Sequence, residues 1–197
     1  MPLFALLLLA AEGRPLFYWG ARSPVIESRL TGGGSSEAQV VEVHAARDGS
    51  SLLVRFSFDR PVRDALYLPG GVPVSGRLRA ALYVDRDDDR TTGLAGSEKD
   101  LRTGAELRLE LGVVSVGADP AEKLEARAVV TAALYSLAPH GGRRRLWQRD
   151  DAANPQDVSA HGEWVEVRLP WDRVGAEGPC RLVLAVASQT WDGRLPP

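Results

Sequence analysis

From Val40 onward apolar residues recur at every second position, and no long stretch carries the three-and-four spacing of an amphipathic helix. A period of two sends successive side chains to opposite faces of a strand, so each run commits one face to a core. Val41, Val43 and Ala45 alternate with Glu42 and His44. After an Asp48-Gly49 turn, Leu52, Val54, Phe56 and Phe58 alternate with Leu53, Arg55 and Ser57. Leu78, Ala80, Leu82 and Val84 form the next run. Ala105, Leu107, Leu109 and Leu111 follow, with Glu106, Arg108 and Glu110 between them. Residues 124–137 hold enough alanine for a helix, but Leu124, Ala126, Ala128, Val130, Ala132 and Leu134 keep the shorter period and predict a long strand. Arg144–Arg149 reads as a short strand. His161–Leu169 sets Val165, Val167 and Leu169 opposite Trp164, Glu166 and Arg168, and Leu182, Leu184 and Val186 mark the last strand. About eight such strands predict an all-β chain, an antiparallel β-sandwich with jelly-roll or immunoglobulin-like layering.

The segments between the runs carry turn chemistry. Pro61, Pro69-Gly70-Gly71 and Pro73 give a loop without a helix signal. Residues 150–159 read as loop, and Pro170–Gly175 as a turn or a single helical turn. Residues 14–37 lack periodicity and contain the flexible connector Thr31-Gly32-Gly33-Gly34-Ser35-Ser36, so the sandwich is expected over 38–197. Leu3–Ala11 is wholly apolar but too short to span a bilayer. It has the length of a signal-peptide core, and Ala11-Glu12-Gly13 offers a small-x-small cleavage step, although no Lys or Arg precedes it. Residues 1–13 are therefore expected to be an export signal, which would place the protein outside the cytoplasm, in the periplasm or secreted. A first strand or helix of the fold is the competing reading.

With 197 residues there is room for one domain with a sizeable core, and a net charge of -2 gives no footprint for nucleic acid or an anionic membrane. The single cysteine, Cys180, excludes an intramolecular disulfide and reads as a buried thiol beside an apolar run.

The strongest chemical signal is Asp85-Arg86-Asp87-Asp88-Asp89-Arg90-Thr91-Thr92-Gly93, set between two predicted strands. Carboxylates at alternate positions of a curling loop can converge on a hard cation, and calcium takes six to eight oxygens. Asp85, Asp87, Asp88, Asp89 and Thr91 are the candidate ligands of a structural calcium ion. The loop is not an EF-hand, because Arg90 stands where that motif's glycine belongs and Gly96 where its bidentate glutamate belongs. The competing reading is a solvated turn whose aspartates pair with Arg86 and Arg90.

Tyr83-Val84-Asp85-Arg86-Asp87 through Thr92-Gly93, then Gly104-Ala105-Glu106-Leu107, and later Trp164–Pro170, resembles a pattern of the DOMON-like and family-9 carbohydrate-binding-module-like β-sandwiches. Glu106 and Leu107 stand where that pattern has aspartate and an aromatic residue. The resemblance covers 38–197 and implies an exported, non-catalytic sandwich. Some members of this group bind sugars and others haem. Haem held by Met and His needs a methionine in the domain, and the chain has only Met1.

Sugars stack on flat aromatic rings flanked by polar side chains. Trp164, with Glu166 and Arg168 on the same strand face, is the first candidate platform, and Trp147, near Arg145 and Gln148, is the second. An aromatic covering the edge of a core is the plainer reading of any one tryptophan. Arg143-Arg144-Arg145 reads as a solvated hairpin tip or a contact for an anionic polymer. No acid–base pair or activated nucleophile stands out, so no catalytic residue is assigned, and Glu163 with Glu166 is the nearest approach to a glycosidase pair. The sequence thus supports a non-enzymatic binding module for carbohydrate or another cell-envelope ligand. A protein-interaction domain of the envelope is the alternative and a divergent glycoside hydrolase the third.

Overall fold

The alternating runs fold into two antiparallel sheets packed face to face. The computed structural model describes residues 14–16, 19, 25–27, 38–67, 78–94, 104–116, 127–140, 142–176, 180–186 and 189–195. The strands are β1 (Ile26–Glu27), β2 (Val40–Asp48), β3 (Ser51–Phe58), β4 (Ala80–Asp85), β5 (Leu107–Val116), β6 (Arg127–Leu137), β7 (Arg143–Asp150), β8 (Val158–His161), β9 (Trp164–Pro170), β10 (Cys180–Val186) and β11 (Gln189–Leu195). One sheet has the order β1-β2-β3-β9-β8, the other β11-β10-β4-β5-β6-β7. Among the described residues two short helices accompany them, α1 (Val62–Leu66) and α2 (Trp171–Val174). Among the described residues no helix is long and apolar enough to cross a membrane.

The fold class is the expected all-β sandwich, with more strands than the alternation revealed. Val158–His161 forms a strand where a loop was expected. His161 closes it, and Gly162-Glu163 turns directly into β9, so His161 does not open the following strand. Gln189–Leu195 adds a strand beyond Cys180–Val186, and Ile26–Glu27 adds another inside the segment read as irregular. α1 occupies part of the loop thought to lack helix. Its five residues are too few to show a period, and Pro61 sits at its N-cap. The apolar N-terminus, the Gly/Ser connector and the loop around Pro69 lie outside the described residues.

The core takes in predicted inward residues and others that the alternation did not place there, among them Ile26, Val62, Trp147 and Val174. Leu52, Val54, Phe56, Leu82, Val84, Leu107, Leu109, Leu134, Val165, Val167, Leu169, Leu182 and Leu184 are buried in one cluster drawn from both sheets. At about 25 cal/mol per Å² of apolar area removed from water, such a cluster is the main source of stability. In β2 a register shift between Val40 and Glu42 brings Val40, rather than Val41, into the core with Val43. A smaller cluster of Tyr83, Leu94, Ala105 and Val183 lies on the outer side of β4 and β10.

Candidate functional site

Two constellations project from the outer faces of the sheets. The first is the acidic turn between β4 and β5. Ala80, Leu82 and Val84 point inward, so parity sends Ala81, Tyr83 and Asp85 outward. β4 and β5 pair in the register Val84↔Leu107, which places Glu106 across from Asp85 where the hairpin leaves the sheet. The loop then folds back on itself. Gly93 and Gly104 both have positive φ, and a Cβ on Gly104 would lie 2.4 Å from the Asp89 carbonyl oxygen. Only glycine tolerates both that backbone conformation and that approach. Asp88 also adopts the left-handed region, at φ 55°, a conformation aspartate accepts better than most residues.

The result is a group of three carboxylates. Asp85, Asp87 and Glu106 each offer an oxygen lying within 4.8 Å of the other two. Asp85 is fully buried and receives Nε and Nη2 of Arg181 on one oxygen, each at 3.1 Å. Its other oxygen accepts the Asp89 N–H at 3.2 Å, and that N–H also lies 3.0 Å from an Asp87 oxygen. The Arg86 N–H donates to Glu106 at 2.9 Å. The Thr92 hydroxyl sits 2.9 Å from a Glu106 oxygen, 3.1 and 3.2 Å from the Asp87 oxygens and 3.0 Å from the Asp89 carbonyl. A hydroxyl has one proton to give, so oxygens outnumber donors around Thr92. Burial raises the Asp85 pKa. The Arg181 charge opposes the rise, while contact with Asp87 and the Glu106 charge add to it.

The expected ligand set is therefore only partly assembled. Asp85 and Asp87 converge, and Glu106, which the sequence reading did not include, completes the group. Asp89 turns away: its carboxylate accepts the Thr91 N–H at 2.8 Å and hydroxyl at 2.7 Å, and these bonds lower its pKa. Thr91 is thus occupied with Asp89. Asp88 is not among the three converging carboxylates.

The second constellation lies on the outer face of the five-stranded sheet. Parity holds here: Val165, Val167 and Leu169 enter the core, and Trp164, Glu166 and Arg168 face outward. Cross-strand register places Arg55 opposite Glu166 and His161 opposite Trp164. Outward does not mean exposed, however. Glu166 is 0% exposed, because the N-terminal segment crosses it. One carboxylate oxygen accepts the Trp19 indole N–H at 2.8 Å and the Arg55 Nε at 2.8 Å and Nη2 at 2.5 Å. The other accepts the Leu16 N–H at 2.5 Å and lies 3.6 Å from His161 Nε2. The Ser159 hydroxyl pins the same segment through the Arg14 carbonyl. Glu166 is thus an internal anchor, with no oxygen to spare for a sugar hydroxyl or a proton transfer, and Glu163 stands exposed on the adjacent turn.

Trp164 behaves differently. It is 37% exposed and, with Val114, is one of two large hydrophobic side chains open to solvent among the described residues. The Arg55 guanidinium lies 4.6 Å from its ring centroid, and the His161 ring meets it edge-on at 5.2 Å. Arg168 on the same strand is half-buried. Trp147 does not join this face. It is 7% exposed and packs in the core from β7 of the other sheet.

Comparison of the chain with protein-family models, with curated proteins and with solved structures gives no match.

Proposed function

We propose that the chain is a non-catalytic binding module of the cell envelope that takes a carbohydrate on Trp164 and uses the Asp85–Asp87–Glu106 turn as a structural calcium site. The observation that carries this reading is the Trp164 ring, 37% exposed and held by the Arg55 guanidinium over it and by His161 edge-on. A stacking platform works when the ring is fixed before the ligand arrives, because little side-chain freedom is then lost on binding. Arg168, four residues along on the same strand face, is a candidate to reach a ligand hydroxyl, and Glu166 supports the ring indirectly by fixing Arg55. Calcium fits the turn chemically. Oxygens within 4.8 Å of one another can share an ion at about 2.4 Å, and the excess of acceptors over donors around Thr92 is what a cation would relieve. The buried Arg181 already offsets one charge, which favours a structural role over tight sensing.

A glycan screen with the wild-type domain, Trp164→Ala and Glu163→Ala tests the reading. The wild type should retain at least one glycan. Loss of the ring should weaken that contact by roughly 2- to 13-fold or more, and the Glu163 change should leave it intact. Retention of no glycan by the wild type, or equal retention by Trp164→Ala, would overturn the proposal.

A further inference from the structure

One edge of the six-stranded sheet holds a feature that the Trp164 face does not explain. β7 is that edge, and beside it lies a depression of about 300 Å³ lined by Arg145, Leu146, Trp147, Gln148, Arg149 and Arg173. Its shape follows from a bulge. Leu134 pairs with Trp147 but Tyr135 with Arg145, so Leu146 is an extra residue. Without the bulge, Arg145 and Gln148 would point to opposite faces. With it they share one, and the Arg145 Nη1 donates to the Gln148 side-chain oxygen. Trp147 meanwhile turns into the core and becomes a fixed wall, with the Arg149 guanidinium 5.8 Å from its ring. Arg173 comes from α2, which follows β9 in the other sheet, so the depression is lined from both layers.

We propose that this depression is an oxyanion site for a phosphate or sulfate group. Three arginines, Arg145, Arg149 and Arg173, line it, and their charge is only partly offset. Arg149 reaches Asp157 at 3.3 Å, Arg173 reaches the largely exposed Asp172 only at 3.9 Å, and Arg145 is oriented by a neutral amide. Planar guanidinium forks match the oxygens of phosphate and sulfate in pairs, which a single ammonium cannot do. Charged residues on an edge strand also discourage edge-to-edge pairing, and that would account for Arg143, Arg144 and Arg145. It does not account for an arginine from the opposite layer lining the same depression, or for a bulge that aligns Arg145 with Gln148.

Isothermal titration of the folded domain at about 50 mM salt, once with inorganic phosphate and once with a sulfated hexasaccharide, tests the site. At least one probe should bind and weaken as salt rises. Arg145→Gln and Arg173→Gln should each cost about tenfold or more in affinity, and Arg145→Lys should fall between. Arg79→Gln, the same charge change outside the depression, should stay within about twofold. Binding of phosphate alone identifies a small free anion, whereas preference for the hexasaccharide identifies ester groups on a polymer; either supports the site. The proposal fails if neither probe binds, or if Arg79→Gln weakens binding as much as the pocket variants. Melting curves for each variant separate lost binding from lost folding.

Discussion

Replacing Glu166 by glutamine should be among the most damaging isosteric changes in the molecule. The carboxylate is 0% exposed and accepts four N–H groups, two of them from Arg55, whose side chain is 14% exposed. Glutamine offers one oxygen. In its better orientation that oxygen keeps Trp19 and Arg55, and the new amide group then points its hydrogens at the Leu16 N–H. Arg55 also loses its counter-charge. Breaking a buried ion pair from one side costs about 3–5 kcal/mol, and the slight exposure of Arg55 favours the lower end, about 3 kcal/mol. For a domain of this size each kcal/mol moves Tm by about 2–4 °C, so Glu166→Gln should melt about 6–12 °C below wild type. Calorimetry or circular dichroism against temperature reads this directly, with Glu163→Gln as the exposed control. Amide exchange should show Leu16 losing protection in step. A Glu166→Gln protein melting within about 2 °C of the control would refute the view of this residue as a buried charged anchor.

Three further outcomes follow from the geometry. Calcium at a hundredfold excess over its dissociation constant should add about 2.7 kcal/mol, or roughly 5–11 °C in Tm, and Asp87→Asn or Glu106→Gln should abolish the gain; an unchanged Tm between calcium and EGTA in the wild type would remove the ion from the picture. Gly104→Ala should destabilise the domain by more than about 1 kcal/mol, because the new methyl meets the Asp89 carbonyl at a positive φ; denaturant unfolding with an unshifted midpoint would contradict this. Burial, reinforced by the negative charges of Asp85 and Asp88, pushes the Cys180 thiol up to about 11 from 9.0. The folded state then holds that proton longer than the unfolded chain, so stability contributed by Cys180 is complete below pH 9 and is lost as pH rises toward 11. A disulfide reagent at pH 8 should accordingly label Cys180 only after unfolding; rapid labelling of the native protein would show the thiol to be accessible.

Period-two alternation made most of the fold legible, because it states which side of a sheet each residue takes. It says nothing about what covers that side. Trp164, Glu166 and Arg168 do share the outer face, yet Leu16 and Trp19 close over Glu166, and a segment with no periodicity gave no sign that it would do so. The bulge at Leu146 reverses parity within β7 and sends Trp147 inward while Arg145 stays out, a reversal no alternating count contains. At the acidic turn Asp85 and Asp87 were readable as neighbours in sequence. Glu106 was not, being far along the chain, although the register Val84↔Leu107 follows from the same two alternating runs and puts it there. β8 and β11 escaped because Val158–His161 is short and Gln189–Leu195 lacks an apolar repeat.

The sheet order has a consequence for how the protein is made. β3 lies between β2 and β9, and β4 between β5 and β10, so a central strand in each sheet waits for a neighbour from the last quarter of the chain. Until residues 164–186 emerge, both strands present an unpaired backbone flank beside the apolar side chains that will form the core. Such contacts, distant in sequence, form slowly, and open strand flanks invite association with other chains. The two layers are thus completed almost together and late. A nascent chain of this protein is most in need of shielding after β4 is made and before β9 and β10 arrive.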